Sequence, residues 1–281
     1  MNVRVLGRMT GDGSDFPDPA AAPPEGLLAV GGDLSPARLV AAYLRGIYPW
    51  YDRGTPILWW SPDPRCALLP DELHVARSLA RCIRSNTFEV TFDKAFALVI
   101  RRCAGTPRQG QRGTWLVPAM INAYEALHRL GIAHSAEAWQ DGRLVGGLYG
   151  VALGGVFYGE SMFRLAPDAS KVAFTWLAAW LRHAGCTLID CQQTTPHMVR
   201  FGARELPRPE FLTRLADGVR GALRLADGSE ARCPDISALP VRALAPGPDA
   251  PWMGTQQTGV DASSDQRPAR HWRVPAGFRP L

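Results

Sequence analysis

The sequence predicts an α+β protein in which helices pack on a mixed sheet, preceded by a small aromatic N-terminal unit. Three observations predict it. Residues 133–163 read as three strands joined by tight turns at Asp141-Gly142 and Gly154-Gly155. A helix rich in Phe174, Trp176, Leu177 and Trp180 follows from Ser170 to about Leu181, and Thr187–Gln192 supplies a fourth strand. That order is an antiparallel meander followed by a helix crossover. The character then changes, since eight of the 24 prolines lie between Pro234 and Pro280. Residues 1–63 are therefore expected as a small N-terminal domain and 64–223 as the mixed-sheet domain. Residues 224–281 are expected as a Pro-rich, largely disordered tail.

Residues 1–32 read as loop, with Phe16-Pro17-Asp18-Pro19 and Pro23-Pro24-Glu25-Gly26 before the apolar run Leu27–Gly32. Asp33 or Ser35 is the N-cap candidate for a first helix. Pro36 suits its first turn, and Gly46 sits where a C′ glycine belongs. Five aromatics, three of them tryptophan, then fall within Tyr48–Trp60 around a turn at Asp52-Arg53-Gly54. The run reads either as a hairpin whose tryptophans pack a core or as faces that stack an unpaired base. Pro62-Asp63-Pro64-Arg65 reads as a linker.

Helices are expected from Asp71 to Arg84, from Asp93 to Cys103 and from Pro118 to Leu130, with a strand at Phe88–Phe92. Gly105–Gly113 carries Arg108 and Arg112 and reads as a mobile basic loop, with phosphate contact as the sharper alternative. In the meander, Gly146-Gly147 and Gly150 leave surface where another chain or a ligand can approach backbone. Residues 197–209 read as loop and Pro209 to about Leu223 as a helix. In the tail, His271-Trp272-Arg273-Val274-Pro275 is a piece able to dock back on the surface.

The 281 residues, 46% hydrophobic, suffice for one large domain or two smaller ones. No run approaches the roughly 18 apolar residues of a membrane span. Met1-Asn2-Val3-Arg4 opens no apolar signal segment. The six cysteines are scattered, without a C-x-x-C pair, which argues against a zinc site or a disulfide framework and fits a reducing cytoplasm. The net charge is +5, and only Lys94 and Lys171 among the 31 basic residues are lysines. Arginine is the better fork for phosphate oxygens, so a nucleic-acid partner is permitted. The same bias can follow from genomic base composition.

The strand Thr187–Gln192 carries an acid and an amide two positions apart. Alternation along a strand puts Asp190 and Gln192 on one side at its end. A carboxylate closing an apolar strand costs free energy unless it is paired or used. Asp190 is thus either a turn cap or a reacting group.

Seven stretches carry a family resemblance, namely Gly26–Ser35, Arg45–Trp50, Leu58–Arg65, Gly113–Trp115, Val145–Gly150, Phe157–Phe163 and Leu188–Gln192. Together they resemble the bacterial leucyl/phenylalanyl-tRNA–protein transferases, in the family's order, over residues 16 to about 215. The resemblance implies a small N-terminal domain before an N-acetyltransferase-like (GNAT-like) domain. It implies transfer of Leu or Phe from aminoacyl-tRNA to the N-terminal amine of proteins beginning with Arg or Lys, which marks them for degradation by the N-end rule pathway. It places the catalytic pair on Asp190 and Gln192, with Glu160 beside them. Trp50 and Trp115, with Tyr43 and Tyr124 nearby, would receive the tRNA's terminal adenosine. Leu148, Phe157, Met162, Phe174 and Ile189 would form the aminoacyl pocket. A cytoplasmic monomer with no cofactor and no membrane partner is expected.

The donor ester is already activated, so aminolysis needs no metal and no strong base. An N-terminal amine, with a pKa of about 7.7–8.0, is neutral in roughly a tenth or more of molecules at physiological pH. Holding it against the carbonyl contributes about 7–11 kcal/mol, more than the roughly 10²–10⁴-fold from proton transfer. Gln192 is expected to orient the amine through its carbonyl oxygen, and Asp190 to stabilise the developing positive charge directly or through Gln192. Glu160 is read either as the partner of the acceptor's basic side chain or as a structural group. A coenzyme-A-dependent N-acetyltransferase and a non-catalytic tRNA-binding module are the alternatives. The missing pyrophosphate-binding loop weighs against the first, and the unexplained Asp190/Gln192 pairing against the second.

Overall fold

The structure, a computed structural model, describes residues 3–7, 15–106, 116–225, 227–233, 272 and 278–280. The chain opens in a four-stranded sheet. Its first strand, β1 (Arg4–Leu6), lies in a segment that reads as loop, and pairs parallel with β2 (Leu27–Gly31). Three residues are too few to show a periodicity; the partner strand makes this one. α1 (Pro36–Tyr43) is capped by Ser35, whose Oγ accepts from the Arg38 N–H, and all eight of its residues are buried. Gly46 follows at φ +72°, where a side chain would be strained. β3 (Tyr48–Pro49) and β4 (Leu58–Trp60) make the expected hairpin, with Trp59 fully buried against the edge of Phe16.

The main sheet is built from β5 (Arg65–Leu68), β6 (Glu89–Phe92), β7 (Ala133–Gln140), β8 (Arg143–Leu153), β9 (Val156–Arg164), β10 (Leu188–Gln192) and β11 (Arg204–Leu206). Its order is β11-β5-β10-β9-β8-β7-β6. β10 runs parallel to β9, with Asp190 opposite Tyr158, and the other pairings are antiparallel. The sheet is therefore mixed, and helices cover both faces. On one face α3 (Phe96–Ala104) and α4 (Pro118–Arg129) pack with α1 over Tyr149, Val151, Tyr158 and Leu188. On the other, α2 (Arg77–Arg84) and α5 (Ala169–His183) cover Leu148, Phe157 and Ile189. The period-two alternation of those residues divides the core into its two halves. This is the expected α+β architecture, with a small N-terminal sheet before a mixed-sheet body.

Other readings change. The expected linker ends in β5, which enters the sheet between β10 and β11. The segment read as loop before Pro209 holds the short helix α6 (Pro196–Val199) and β11, and α7 (Arg208–Arg220) follows. The glycines of β8 leave no room for a ligand. A Cβ on Gly150 would collide with the Phe157 ring and the Tyr158 carbonyl, so the close approach is internal. Among the described residues, no helix is long and apolar enough to cross a membrane.

Most of the expected tail, like the basic loop from Pro107 to Gly113, lies outside the described residues. Its beginning pairs as β12 (Ala222–Arg224) with β13 (Glu230–Arg232). Trp272 does dock. It is 2% exposed, stacks on His134 at a ring separation of 3.8 Å, and lies 4.4 Å from Trp180. Its backbone N–H donates to Asp93 Oδ2 at 2.8 Å. Trp272→Ala should lower the thermal midpoint by about 5–10 °C, from a loss of roughly 3 kcal/mol at about 2–4 °C per kcal/mol. An unchanged melt would mean that this ring is not part of the folded core.

Candidate active site

The middle of β9, the end of β10 and two helices meet at one point of the sheet. Glu160 on β9 is half-buried. Its carboxylate accepts from the Tyr43 hydroxyl (2.7 Å to Oε1), the Tyr124 hydroxyl (2.7 Å to Oε2) and Gln192 Nε2 (2.9 Å to Oε1). The two tyrosine hydroxyls also lie 2.6 Å apart. Burial pushes Glu160 up to about 7, against the lowering effect of the two hydroxyls, and Asp190 adds to the rise. The carboxyl is therefore poised between its two states near neutrality.

Asp190 is fully buried and gripped by Arg65 from β5 in a two-pronged ion pair, Nε to Oδ1 at 2.8 Å and Nη2 to Oδ2 at 2.7 Å. Arg65 is itself almost wholly buried, donates through Nη1 to the Gly46 carbonyl, and lies between the rings of Tyr48 and Phe211. Asp190 Oδ1 also accepts the Gln192 backbone N–H at 2.9 Å. Strand alternation does not apply here as the sequence suggests. The register of β10 against β5 shifts between Asp190 and Gln192, and Gln192 has φ +61°. The bulge sends the carboxylate to Arg65 and the amide to Glu160.

A cavity of about 560 Å³ opens beside Glu160, within the roughly 300–1,000 Å³ of small-molecule sites. Leu148, Met162, Phe174 and Ile189 line it, as expected, together with Cys191 and Met198. Phe157 does not; on the same face it packs against Trp272, at a ring separation of 5.9 Å. Arg164, Lys171, His197 and Arg200 give the cavity a basic side. Burial holds the His197 imidazole below its ordinary value, and the three neighbouring cations act in the same direction.

Of the expected adenosine-binding residues that are described, Tyr43 and Tyr124 stand together and Trp50 lies off the cavity. Tyr43 and Tyr124 are fully buried in the Glu160 network, so neither ring offers a face for stacking. Trp50 is half-buried beside Trp60, at a ring separation of 5.8 Å, and does not line the cavity. Trp115 lies outside the described residues. Sequence reasoning missed Arg65. The available signal was an arginine heading the apolar run Cys66-Ala67-Leu68, whose burial calls for a partner. Among the described residues, no group of three His, Cys, Asp or Glu could hold a metal ion.

An apolar cavity with the hydrogen-bonded Glu160 carboxylate in its wall and cations at one side is suited to holding a hydrophobic group. The sequence description "Leucyl/phenylalanyl-tRNA protein transferase" matches residues 67–216, and that of its N-terminal domain matches residues 32–63. The leucyl/phenylalanyl-tRNA–protein transferase of Nitratidesulfovibrio vulgaris is 63% identical over 76% of this chain and 92% of its own length. That of Anaeromyxobacter sp. (strain K) is 63% identical over 72% and 86%. A solved GCN5-related N-acetyltransferase from Kribbella flavida overlaps 60% of each chain at 13% identity, with a TM-score of 0.32. The chain belongs to the leucyl/phenylalanyl-tRNA–protein transferase family and is an aminoacyltransferase.

Proposed function

We propose that the chain moves Leu or Phe from charged tRNA onto the N-terminal amine of proteins that begin with Arg or Lys, marking them for degradation in the cytoplasm. The observation that carries this reading is the 560 Å³ apolar cavity opening directly on Glu160, which holds the Gln192 amide at 2.9 Å. The Leu or Phe side chain enters the cavity among Leu148, Met162, Phe174 and Ile189. The phosphates of the tRNA's 3′ end lie along Arg164, Lys171 and Arg200, where arginine matches phosphate oxygens well. Trp50 supports the terminal base, with Trp115 as a further stacking residue.

The acceptor amine attacks the ester carbonyl. The new bond is an amide, the ester C–O bond breaks, and the amine proton leaves with the tRNA's terminal hydroxyl. Gln192 donates its Nε2 to Glu160, which leaves its carbonyl oxygen as an acceptor for the amine. Glu160 is also the carboxylate that faces the acceptor's cationic side chain. Of the two parts expected for Asp190, the indirect one is favoured. Its charge is balanced by Arg65, so it acts through the Gln192 backbone as a positioning residue and does not meet the amine.

Radiolabelled leucyl-tRNA supplied with a peptide beginning with Arg tests the reading. Label is expected in the peptide, and none when the peptide begins with Glu; no transfer under varied salt and pH would sink the proposal. Trp50→Ala should raise KM for charged tRNA by about 10-fold, from the roughly 1–3 kcal/mol of a stacked base, with the melt unchanged. A large fall in melting temperature would instead assign Trp50 to core packing.

A further inference from the structure

Two cysteines meet at the bulge that shapes the site. Cys66 follows Arg65 on β5, and Cys191 sits between Asp190 and Gln192 on β10. The antiparallel register pairs Ala67 with Asp190 and Cys66 with Gln192, so Cys191 is the extra residue of the bulge beside Cys66. Neighbouring strands lie roughly 4.8 Å apart, inside the roughly 4.4–6.8 Å Cα separation that a disulfide accepts. Cys66 is wholly buried, whereas Cys191 is half-buried and lines the cavity. A small oxidant that enters the cavity therefore meets one sulfur with the second directly behind it.

We propose that Cys66 and Cys191 form an oxidisable dithiol site, and that their disulfide switches transfer off by distorting the bulge that carries Asp190 and Gln192. The switching half of this rests on the proposed role of Gln192; the dithiol itself does not. The two thiols are unequal. Hydrogen bonds from the Cys191 thiol and from Thr194 hold the Cys66 thiol below its ordinary value, in spite of burial. The same hydrogen bond, with burial, pushes Cys191 well up, so the pair shares a single proton when it ionises. The accessible sulfur is Cys191, and the more acidic thiol lies directly behind it, placed to act as the resolving thiolate once Cys191 is oxidised.

The oxidant is a hydroperoxide, with hydrogen peroxide as its simplest member. The shared proton moves to Cys66 as the Cys191 sulfur attacks one peroxide oxygen. The O–O bond breaks, and hydroxide leaves from a Cys191 sulfenic acid. That hydroxide takes the Cys66 proton and becomes water. The Cys66 thiolate then attacks the sulfenic sulfur, forms the S–S bond and expels a second hydroxide. Two electrons pass from the sulfurs to the peroxide, and a thiol reductant reverses the change. The bridge pulls Cys191 toward β5 and draws Gln192 Nε2 away from Glu160, now 2.9 Å distant.

The test treats the full chain with hydrogen peroxide, blocks the remaining thiols by alkylation and maps the peptides. A peptide linking Cys66 to Cys191 is expected, with transfer lowered at least about tenfold, as displacement of an orienting group predicts, and restored by dithiothreitol. Cys66→Ala, and Cys66→Val should alanine prove unstable, should transfer normally and resist peroxide. Absence of the linked peptide, or inactivation of the Cys66 variants as fast as the native chain, overturns the proposal. The linkage is read without tRNA. An untreated protein that fails to transfer would count against the function reading alone, and the linked peptide would still decide this one.

Discussion

Asp190→Asn is expected to destabilise the protein by about 3–5 kcal/mol, because it strands the Arg65 guanidinium in a buried site without its counter-charge. The substitution keeps the shape of the side chain, so the loss reports charge and not packing. A urea titration measures it. Transfer should fall as well, since the ion pair holds the strand against which Gln192 is set. Arg65→Met combined with Asp190→Leu separates the two effects. Replacing a buried ion pair with apolar groups of similar volume is often neutral or stabilising, so the double variant should recover most of the lost stability. It should not recover transfer, because no oxygen then accepts the Gln192 backbone N–H. A single variant that unfolds and transfers like the native chain would remove the pair from both roles.

Glu160→Gln is the second large effect, and pH reveals it. Burial raises Glu160 to about 7 in the folded chain, above its ordinary value of 4.5. The protonated form is thus favoured by folding. The stability it contributes is fully present below about pH 4.5 and is lost as pH rises through about 7. Glu160→Gln should flatten the stability profile across that interval. Activity moves in the opposite direction. If the ionised carboxylate holds Gln192 and attracts the acceptor's cation, kcat/KM rises with pH through about 7, beneath the separate limb of the acceptor amine. The variant should lose that limb and about 10²-fold in rate, the scale of a misplaced orienting group. A variant whose pH–rate profile matched the native one would show that Glu160 is a structural partner of Tyr43 and Tyr124.

Much of the site was legible one residue at a time. Asp190, Gln192 and Glu160 stand together because the meander, the helix crossover and the parallel return of β10 beside β9 are all written in local periodicity and turn residues. Four of the five expected cavity residues line the cavity, three because alternation along β8, β9 and β10 puts them on one face, and Phe174 because α5 covers that face. Phe157 departs although it shares the α5 face with Leu148 and Ile189, because Trp272, from a segment far along the chain, packs against it there. Tyr43 and Tyr124 were legible as neighbours of the site but not in their surroundings. A tyrosine on a helix carries no mark that distinguishes an exposed ring from one closed over a carboxylate.

The sequence by itself determined the α+β class, the order of the meander and crossover, the family, and the apolar set around the cavity. These follow from patterns of period 2 and 3.6 and from turns a few residues long, which local sterics and the burial of apolar faces enforce. The tertiary structure alone decided that Arg65 grips Asp190, that a bulge sends Gln192 to Glu160, that two tyrosines raise a closed wall around that carboxylate, and that Cys66 meets Cys191. Each of these joins residues on strands or helices far apart in the chain. Short strands such as β5 and β11 have too few residues to declare themselves until a partner supplies their hydrogen bonds.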